Sequence, residues 1–221
     1  DFIIIHEAGH EWFANNITYK DIADMWVHEG FTAYSENLFI DYYYGKEASA
    51  DYVIGTRANI QNDKPIIGKY DVNHRGSGDM YYKGANMLHT IRQIIGDDEK
   101  WRQILRGLNK EFYHSTVTTQ QIENYIIDKS GIDLSKVFDQ YLRTANIPNF
   151  EYQMTPEGIK YRYSQVIDGF TMPIELYIGN KKVTVNPTTE WQQIKLSTSE
   201  KESKITVDRD YYVNVQDISK K

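Results

Sequence analysis

The sequence predicts an α+β protein in which a mostly α-helical domain at residues 1–148 precedes a small all-β sandwich domain at residues 149–221. Up to about Asn146, apolar residues recur three and four positions apart, which is the period of an amphipathic helix. After Ile147 and Pro148 the pattern changes to short alternating runs separated by turn residues, which is typical of strands. With 221 residues and 40% hydrophobic content, the chain is long enough for two small domains.

Seven helices are expected in the first domain, and residues that begin or end helices bound several of them. Gly45 ends the second helix, and Gly131 stands where a C-terminal capping glycine belongs. Thr118 and Thr119, followed by a glutamine pair, offer an N-cap to the sixth helix, and Asn15 breaks the first. The expected helices are Phe2 to Asn15, Asp21 to Tyr44, Lys46 to Gln61, Met80 to Ile95, Glu99 to Phe112, Thr119 to Lys129 and Leu134 to Thr144.

Six strands are expected in the second domain. Turn-forming residues lie between the first two strands, at Pro156 to Gly158, and between the third and fourth, at Gly179 and Asn180. Such short turns favour meander or sandwich connections. The expected strands are FEYQM at 150–154, IKYRYSQV at 159–166, MPIELYIG at 172–179, KKVTVN at 181–186, EWQQIKLS at 190–197 and KITVDRDYYV at 204–213.

The composition excludes several classes of function. A net charge of -6 and 18 tyrosines scattered away from any basic patch predict no nucleic-acid partner. The absence of cysteine rules out disulfides and thiolate ligands, so a metal site would need histidine and carboxylate. No apolar run approaches the ~20 residues that span a bilayer, so no membrane span is expected. The composition is compatible with either a cytoplasmic or an exported protein.

The pentapeptide HEAGH at residues 6–10 holds two histidines four positions apart. In a helix this separation is about 400° of rotation, so both imidazoles project from one face and can share a cation. Glu7 lies about 100° round the helix from His6, where it can reach a water molecule beside that cation. The spacing therefore predicts two metal ligands, His6 and His10, and a general base, Glu7.

The third ligand is expected on the next helix, which carries Glu29. Two imidazoles and one carboxylate leave the fourth tetrahedral position of a zinc ion open, which is the arrangement of catalytic rather than structural zinc. Zinc in such a site polarises a carbonyl oxygen and activates water, which points to hydrolysis. Glu36, within about 20° of the same helix face as Glu29, is placed to accept the other N–H of a ligand histidine.

An ordinary structural role for these residues is the alternative. A single histidine on a helix is more often a half-buried, hydrogen-bonded residue than a ligand. Here, however, the two histidines and Glu29 occur together at metal-site spacing. His28 points about 100° away from Glu29 and is expected to be a neighbour of the site. Glu11 either modulates the site or is a solvated charge.

The stretch HEAGHEWFANNIT, followed by WVHEGFTAYSE, resembles the zinc aminopeptidases of the aminopeptidase N type. These are gluzincin metallopeptidases, whose signature is H-E-x-x-H, eighteen residues, and then E. The resemblance covers nearly all of the chain and implies a thermolysin-like, mostly helical catalytic subdomain followed by a sandwich. It also implies one zinc ion bound by His6, His10 and Glu29, with Glu7 activating water.

The stretch GSGDMYYKGANML matches a second motif of this family, Tyr-x-Lys-Gly at the start of a helix. The match selects Tyr81, two residues before Lys83 and Gly84, over Tyr82. In the family this tyrosine donates its hydroxyl to the oxyanion of the tetrahedral intermediate, a role that suits a neutral phenol. Without the resemblance, a structural role is the more ordinary interpretation of a tyrosine at this position.

The chain departs from the family pattern without losing a ligand. Ala8 and Gly9 are smaller than usual, and Glu11 and His28 stand where Gln and Asn are common. The family's upstream Gly-x-Met-Glu-Asn segment, whose glutamate grips the free α-amine of the substrate, has no counterpart here, since residues 84–88 carry no carboxylate. The opening DFIIIH, without an initiator Met, also suggests a piece of a longer protein.

The expected function is that of a zinc-dependent metallopeptidase, an aminopeptidase that releases N-terminal residues from peptides. The alternatives are an endopeptidase or an epoxide hydrolase on the same zinc site, or a non-catalytic scaffold, against which the intact set of ligands argues. The expected partners are a peptide substrate and the missing N-terminal domain of the same protein. Whether the isolated piece is active is left open.

Overall fold

The structure, a computed structural model, describes residues 2–198 and 200–219 and confirms the predicted α+β fold. The chain forms two compact units, residues 1–145 and 146–221. The first unit is mainly helical, and the second consists of strands. The boundary expected after residue 148 lies three residues beyond this division. The ends of the expected domains, residues 1, 220 and 221, lie outside the described residues.

Helices form at all seven predicted positions. Thr118 caps the sixth with a reciprocal pair of hydrogen bonds to Gln121, and Gly131 ends it in the left-handed region at φ 70°. No helix in the described ranges is long and apolar enough to cross a membrane. The helices are α1 Phe2–Gly9, α2 Trp26–Tyr44, α3 Lys46–Gly55, α4 Tyr82–Ile95, α5 Asp98–Glu111, α6 Thr119–Ser130 and α7 Ser135–Arg143.

Three predicted helix boundaries are wrong. The first helix ends at Gly9 rather than Asn15, because the chain widens into a turn in which Asn15 N donates to the His10 carbonyl at 2.9 Å, five residues back. The second begins at Trp26 rather than Asp21. The Asp21 carboxylate accepts from Ala23 N, which starts a separate short turn before α2. The third helix ends at Gly55 rather than Gln61, because the chain tightens into a short 3-10 turn at Thr56–Asn59.

A short parallel strand pair in the helical unit was not predicted. β1 at Ile17–Tyr19 pairs with β2 at Ser115–Val117, with Ile17 opposite Ser115. Each strand has only three residues, and their partners lie far apart in the sequence. The pair therefore gives no local alternation signal, and it holds the turn after α1 in place.

The core of the helical unit centres on α2, which lies against α1, α3 and α4. Large side chains of α2 are fully buried, among them Trp26, Phe31 and Tyr34. Trp101 of α5 is also buried, and its indole N–H donates to the Tyr34 hydroxyl at 3.0 Å. Because α2 is enclosed by other helices, its polar residues Glu29 and Glu36 are buried as well and must find partners inside the protein.

The second unit is built from two sheets. One sheet has the order β7-β4-β3-β9 and the other β6-β5-β8. Ile159 and Leu196, on or beside the first sheet, and Ile178 of the second share a buried cluster, as the predicted sandwich requires. The strands are β3 Asn149–Thr155, β4 Gly158–Ser164, β5 Ile174–Ile178, β6 Lys181–Val185, β7 Gln192–Lys195, β8 Ile205–Val207 and β9 Asn214–Asp217.

The last predicted strand is shorter than expected. Only residues 205–207 of the segment 204–213 form a strand, because the Asp208 carboxylate accepts from Asp210 N and turns the chain. The final strand is β9, which pairs in parallel with β3, and Phe150 lies opposite Val215.

Candidate metal centre

Helix α1 packs closely on α2 because Gly9 has no side chain. A Cβ at Gly9 would lie 3.1 Å from Cγ2 of Thr32 and 3.3 Å from Cβ of Ser35, which is tight enough to push the helices apart. Gly9 and His6 are buried on this face of α1. The close approach brings the two histidines of HEAGH to the buried Glu29 of α2.

The three predicted ligands meet at one point. Nε2 of His6 lies 3.3 Å, and Nε2 of His10 lies 3.5 Å, from Oε2 of Glu29. One ligand atom from each of the three residues lies within 4.8 Å of the other two. Across residues 2–198 and 200–219, no other group of three or more histidines and carboxylates converges in this way.

The outer nitrogen of each imidazole faces a hydrogen-bond acceptor. Nδ1 of His6 lies 2.7 Å from Oε1 of Glu36, and Nδ1 of His10 lies 3.1 Å from the Phe13 carbonyl oxygen. These contacts assign the proton of each neutral ring to Nδ1. Both Nε2 lone pairs then point towards Glu29, as a pair of metal ligands requires.

Two residues behind these contacts were not identified from the sequence. Thr32 Oγ1 lies 3.1 Å from Nδ1 of His10 and donates to the Phe13 carbonyl at 3.5 Å. The Tyr52 hydroxyl donates to the second oxygen of Glu36. Thr32 lies three residues after Glu29 on α2, so helix spacing alone could have placed it on the same face as Glu29. Tyr52 is on α3, and nothing in the local sequence connects it with Glu36.

A positive charge at the centre of the group formed by His6, His10 and Glu29 would stabilise it electrostatically. Hydrogen bonds to Glu29 and Glu36 raise the pKa of His6 to about 9. Burial raises the pKa of Glu29, but the hydrogen bond from His6 and the nearby histidine charges outweigh it, so the pKa is lowered. Two imidazole lone pairs that face a carboxylate repel each other unless a proton or a cation lies between them.

The donor set fits zinc. Two imidazole nitrogens and one carboxylate oxygen are the ligands of catalytic zinc sites, which keep a fourth position open. Glu36 behind His6 and the Phe13 carbonyl behind His10 supply the outer contacts that such ligands normally have. His6, His10 and Glu29 are therefore the residues that would hold the ion.

Tyr81 reaches the centre because α4 crosses α2 at two glycines. A Cβ at Gly84 would lie 3.1 Å from the Gly30 Cα, and a Cβ at Gly30 would lie 3.0 Å from the Met80 carbonyl oxygen. The Tyr81 ring stacks on His6 with centroids 5.9 Å apart, and its hydroxyl interacts with the Glu29 carboxylate. Burial, followed by the charge of Glu29, raises the pKa of Tyr81, so this phenol stays a neutral donor.

Glu7 lies beside the centre on the solvent side. It follows His6 on α1 and is exposed. In the part of the chain that the structure describes, its carboxylate makes no hydrogen bond or ion pair, so it is free to meet a water molecule or a substrate.

His28 and Glu11 lie at the edge of the centre. Nε2 of His28 accepts from Tyr19 N at 3.0 Å, and burial lowers the pKa of His28 to about 4, so this ring is neutral. Glu11 accepts from the Asn15 side chain at 3.2 Å in an exposed position. Neither side chain belongs to the converging group of His6, His10 and Glu29.

Residues 1–141 match the family profile described as the peptidase family M1 domain. The chain is 23% identical over 176 residues to aminopeptidase B of Mus musculus, covering 70% of this chain and 27% of that protein. It is 27% identical over 173 residues to leukotriene A-4 hydrolase of Xenopus laevis, covering 69% of this chain and 28% of that protein. It is 20% identical over 231 aligned positions to probable aminopeptidase 1 of Sulfurisphaera tokodaii, covering 96% and 29%. The chain thus spans less than a third of the length of these relatives.

Solved structures share the fold. A crystal structure of aminopeptidase A from Legionella pneumophila in complex with aspartic acid matches 97% of this chain and 26% of its own, with a TM-score of 0.70 and 15% identity. A mutant M1 zinc metallopeptidase from Deinococcus radiodurans, bound to a Tyr-Ser-Ala substrate, matches 67% of this chain and 34% of its own, with a TM-score of 0.56 and 21% identity.

Proposed function

This chain belongs to peptidase family M1, and from that membership we propose that it carries the zinc site of an aminopeptidase, which releases N-terminal residues from peptides. One observation carries the proposal: one ligand atom each from His6, His10 and Glu29 lies within 4.8 Å of the other two. Relatives named as aminopeptidases in animals and archaea support it.

Glu7 acts as the general base and then as the general acid. When bound, zinc supplies a Lewis acid that polarises the scissile carbonyl and activates water. Glu7 takes a proton from the attacking water, whose oxygen bonds to the carbonyl carbon. As the carbon–nitrogen bond breaks, Glu7 returns that proton to the leaving amine. Its exposed carboxylate, one residue after His6, suits both steps.

Tyr81 stabilises the carbonyl oxygen while negative charge develops on it. Its ring stacks on His6 and its hydroxyl interacts with Glu29, so it lies beside the position where the polarised oxygen would be. A neutral donor held by a rigid helix crossing needs little rearrangement during the reaction. Glu36 and the Phe13 carbonyl keep the two imidazoles in the ligand tautomer and take no part in the proton transfer.

The partner domain of the same protein is expected to cover the exposed face of α1. Phe2, Ile3 and Ile4 are 56%, 51% and 62% exposed, which is unusual for three consecutive large apolar residues. An upstream part of the polypeptide would bury these three residues and would supply the carboxylate that binds the substrate's α-amine. In this proposal that carboxylate makes the enzyme an exopeptidase.

Substitution of Glu7 tests the chemistry. In the natural full-length polypeptide, Glu7→Gln is expected to lower kcat at least 100-fold with zinc content unchanged, because the base is lost and the ligands remain. Glu11→Gln, an exposed neighbour on the same segment, is the control and should leave kcat within about twofold. Full activity of the Glu7→Gln enzyme, or the absence of zinc from the purified protein, would refute the proposal.

A matched pair of peptides tests the exopeptidase assignment. The same peptide is supplied with a free and with an acetylated N-terminus, and only the free form should be cleaved, at its first bond. Cleavage of the acetylated form would instead identify an endopeptidase. Hydrolysis of an epoxide without peptide cleavage would identify the third enzymatic alternative.

A further inference from the structure

A second concave site lies at the other end of α2, between α2, α4 and α5. We propose that it binds a small organic anion that carries two acidic groups on an apolar body. The cavity has a volume of about 400 Å³, which is within the size range of small-molecule sites. The proposal does not depend on the peptidase function.

The charge of the cavity is opposite to that of the chain. Four cationic side chains line it, Lys46, Arg92, Arg102 and Arg106, against two carboxylates, Asp41 and Asp98. The chain as a whole carries a net charge of -6. A concave surface with excess positive charge on an acidic protein attracts anions through its local field.

Arg92 forms the fixed part of the site, and Lys46 adds an ion pair at the surface. Arg92 Nη2 lies 2.7 Å from Oδ2 of Asp41, and Arg92 Nε lies 2.8 Å from Oδ1 of Asp98. Lys46 pairs with the other oxygen of Asp98. Arg92 is only 8% exposed, so its bonds to Asp41 and Asp98 join α2, α4 and α5 into a rigid wall. They use both carboxylates that line the cavity.

Arg102 and Arg106 are the cations left for a ligand. Arg102 approaches Glu99 only at 3.6 Å, and both side chains are at least 60% exposed. Over residues 2–198 and 200–219, Arg106 makes no ion pair or hydrogen bond. The two arginines are four residues apart on α5, so their charges repel each other on one helix face. An anion between them would relieve this repulsion with bidentate hydrogen bonds.

The remaining wall is apolar. Leu38 and Tyr42 of α2 and Trp101 and Leu105 of α5 line the cavity. A bare inorganic ion would leave this surface in contact with water, whereas a ligand with a hydrocarbon or aromatic body would cover it. The combination of two exposed guanidinium groups and an apolar wall therefore favours an organic dianion.

The site is separate from the metal centre. Asp41 lies twelve residues after Glu29 on the same helix, a rise of about 18 Å. None of the residues that line the cavity belongs to the metal group. A ligand here would not contact zinc or the groups around it.

Benzene-1,3-disulfonate is a suitable probe, because it has two permanent negative charges on an aromatic ring and is a poor zinc ligand. Isothermal titration of the zinc-loaded, natural full-length polypeptide is expected to give saturable 1:1 binding that weakens as salt is raised. Sulfate, which lacks the ring, and benzyl alcohol, which lacks the charge, should each bind at least tenfold more weakly.

Single charge-removing variants locate the site. Arg106→Gln and Arg102→Gln should each weaken disulfonate binding about tenfold, since each removes a charge-assisted hydrogen bond. Lys136→Gln makes the same charge change at an exposed position on α7 and should leave the affinity within twofold. The absence of saturable binding, or equal affinity in the two arginine variants and the wild type, would overturn the proposal.

Discussion

At the scale of single residues, the candidate metal centre depends on the groups behind its ligands. Glu36 is buried, and its carboxylate accepts hydrogen bonds from Nδ1 of His6 and from the Tyr52 hydroxyl. Its charge raises the electron density of the imidazole and fixes the ring orientation. Glu36 is therefore expected to affect metal affinity although it is not a candidate ligand.

Replacement of Glu36 by Gln is expected to weaken zinc binding by about 10- to 100-fold. The amide oxygen can still accept from His6, but the negative charge is gone. Competition with a chelator of known affinity measures the change. Glu111→Gln, at the exposed end of α5, is the control. Equal affinities of the Glu36→Gln protein and the wild type would show that Glu36 has only a packing role.

Lys83, in the Tyr-x-Lys-Gly motif, is a buried cation with a structural partner. It is fully buried, and its Nζ donates at 2.9 Å to the Thr144 carbonyl, at the end of α7. Burial lowers its pKa from 10.5 to about 8. Between these two values the unfolded chain holds the proton and the folded protein releases it, so stability rises with pH.

The pH dependence of unfolding tests this assignment. The free energy of unfolding of the wild type, relative to that of Lys83→Met, should increase by up to about 3 kcal/mol as the pH rises from about 8 to 10.5. Below pH 8 the difference should be constant, because Lys83 is charged in both states. Chemical denaturation at several pH values measures it. Parallel profiles for the two proteins would mean that the Lys83 pKa is unperturbed.

The sequence indicated the three converging residues better than the groups that orient them. The HEAGH spacing and the position of Glu29 are local patterns, since helix geometry alone places His6 and His10 on one face. Tyr52 meets Glu36 from another helix. The Phe13 carbonyl is available to His10 only because the chain leaves the α-helix after Gly9. Such contacts depend on tertiary packing and on a local break, which sequence periodicity does not encode.

At the scale of elements, two glycines set the crossing of α2 and α4. Gly30 follows the candidate ligand Glu29, and Gly84 follows Lys83, so each glycine lies beside a residue of the candidate centre or of its second motif. A Cβ on either would come within 3.1 Å of the opposing backbone. The absence of both side chains allows Tyr81, just before α4, to reach Glu29.

Gly30→Ala is expected to destabilise the protein by about 1–3 kcal/mol, because the new methyl group would lie 3.0 Å from the Met80 carbonyl oxygen and the backbone would have to shift. Gly55→Ala is the matched control. Its position is α-helical at φ -58°, and a Cβ there would have no neighbour within 4 Å, so alanine should be neutral or should stabilise by about 0.4–1 kcal/mol. Thermal unfolding of both variants measures the contrast. Similar shifts in the two variants would show that the crossing is not tight.

The helices were predictable where their signals were local. Thr118 and Gly131 bound α6 as the sequence indicated, and the apolar period located all seven helices. The strands β1, β2 and β9 were missed, since each has only three or four residues and pairs in parallel with a segment distant in the sequence. Parallel pairing of this kind leaves no turn signal between the partners.

At the scale of the whole molecule, the two units differ in their relation to the metal. The three candidate ligands and the groups that orient them all belong to residues 1–145, and the strands β3 to β9 belong to residues 146–221. A bound ion would join α1 to α2 and neutralise the carboxylate between them. Its contribution to stability should therefore be local to the helical unit.

Removal of the metal is expected to loosen α1 and α2 while β3 and β4 keep their protection. Binding at 100 times the dissociation constant stabilises the folded state by about 2.7 kcal/mol, so a chelator should increase amide hydrogen exchange in residues 2–44. Exchange measured with and without chelator, followed by peptide mapping, locates the effect. A His10→Ala protein should show no further increase with chelator, because it has already lost the site. Equal loss of protection in β3 and β4 would mean that the metal stabilises both units, and unchanged exchange in α1 and α2 would mean that their packing does not depend on it.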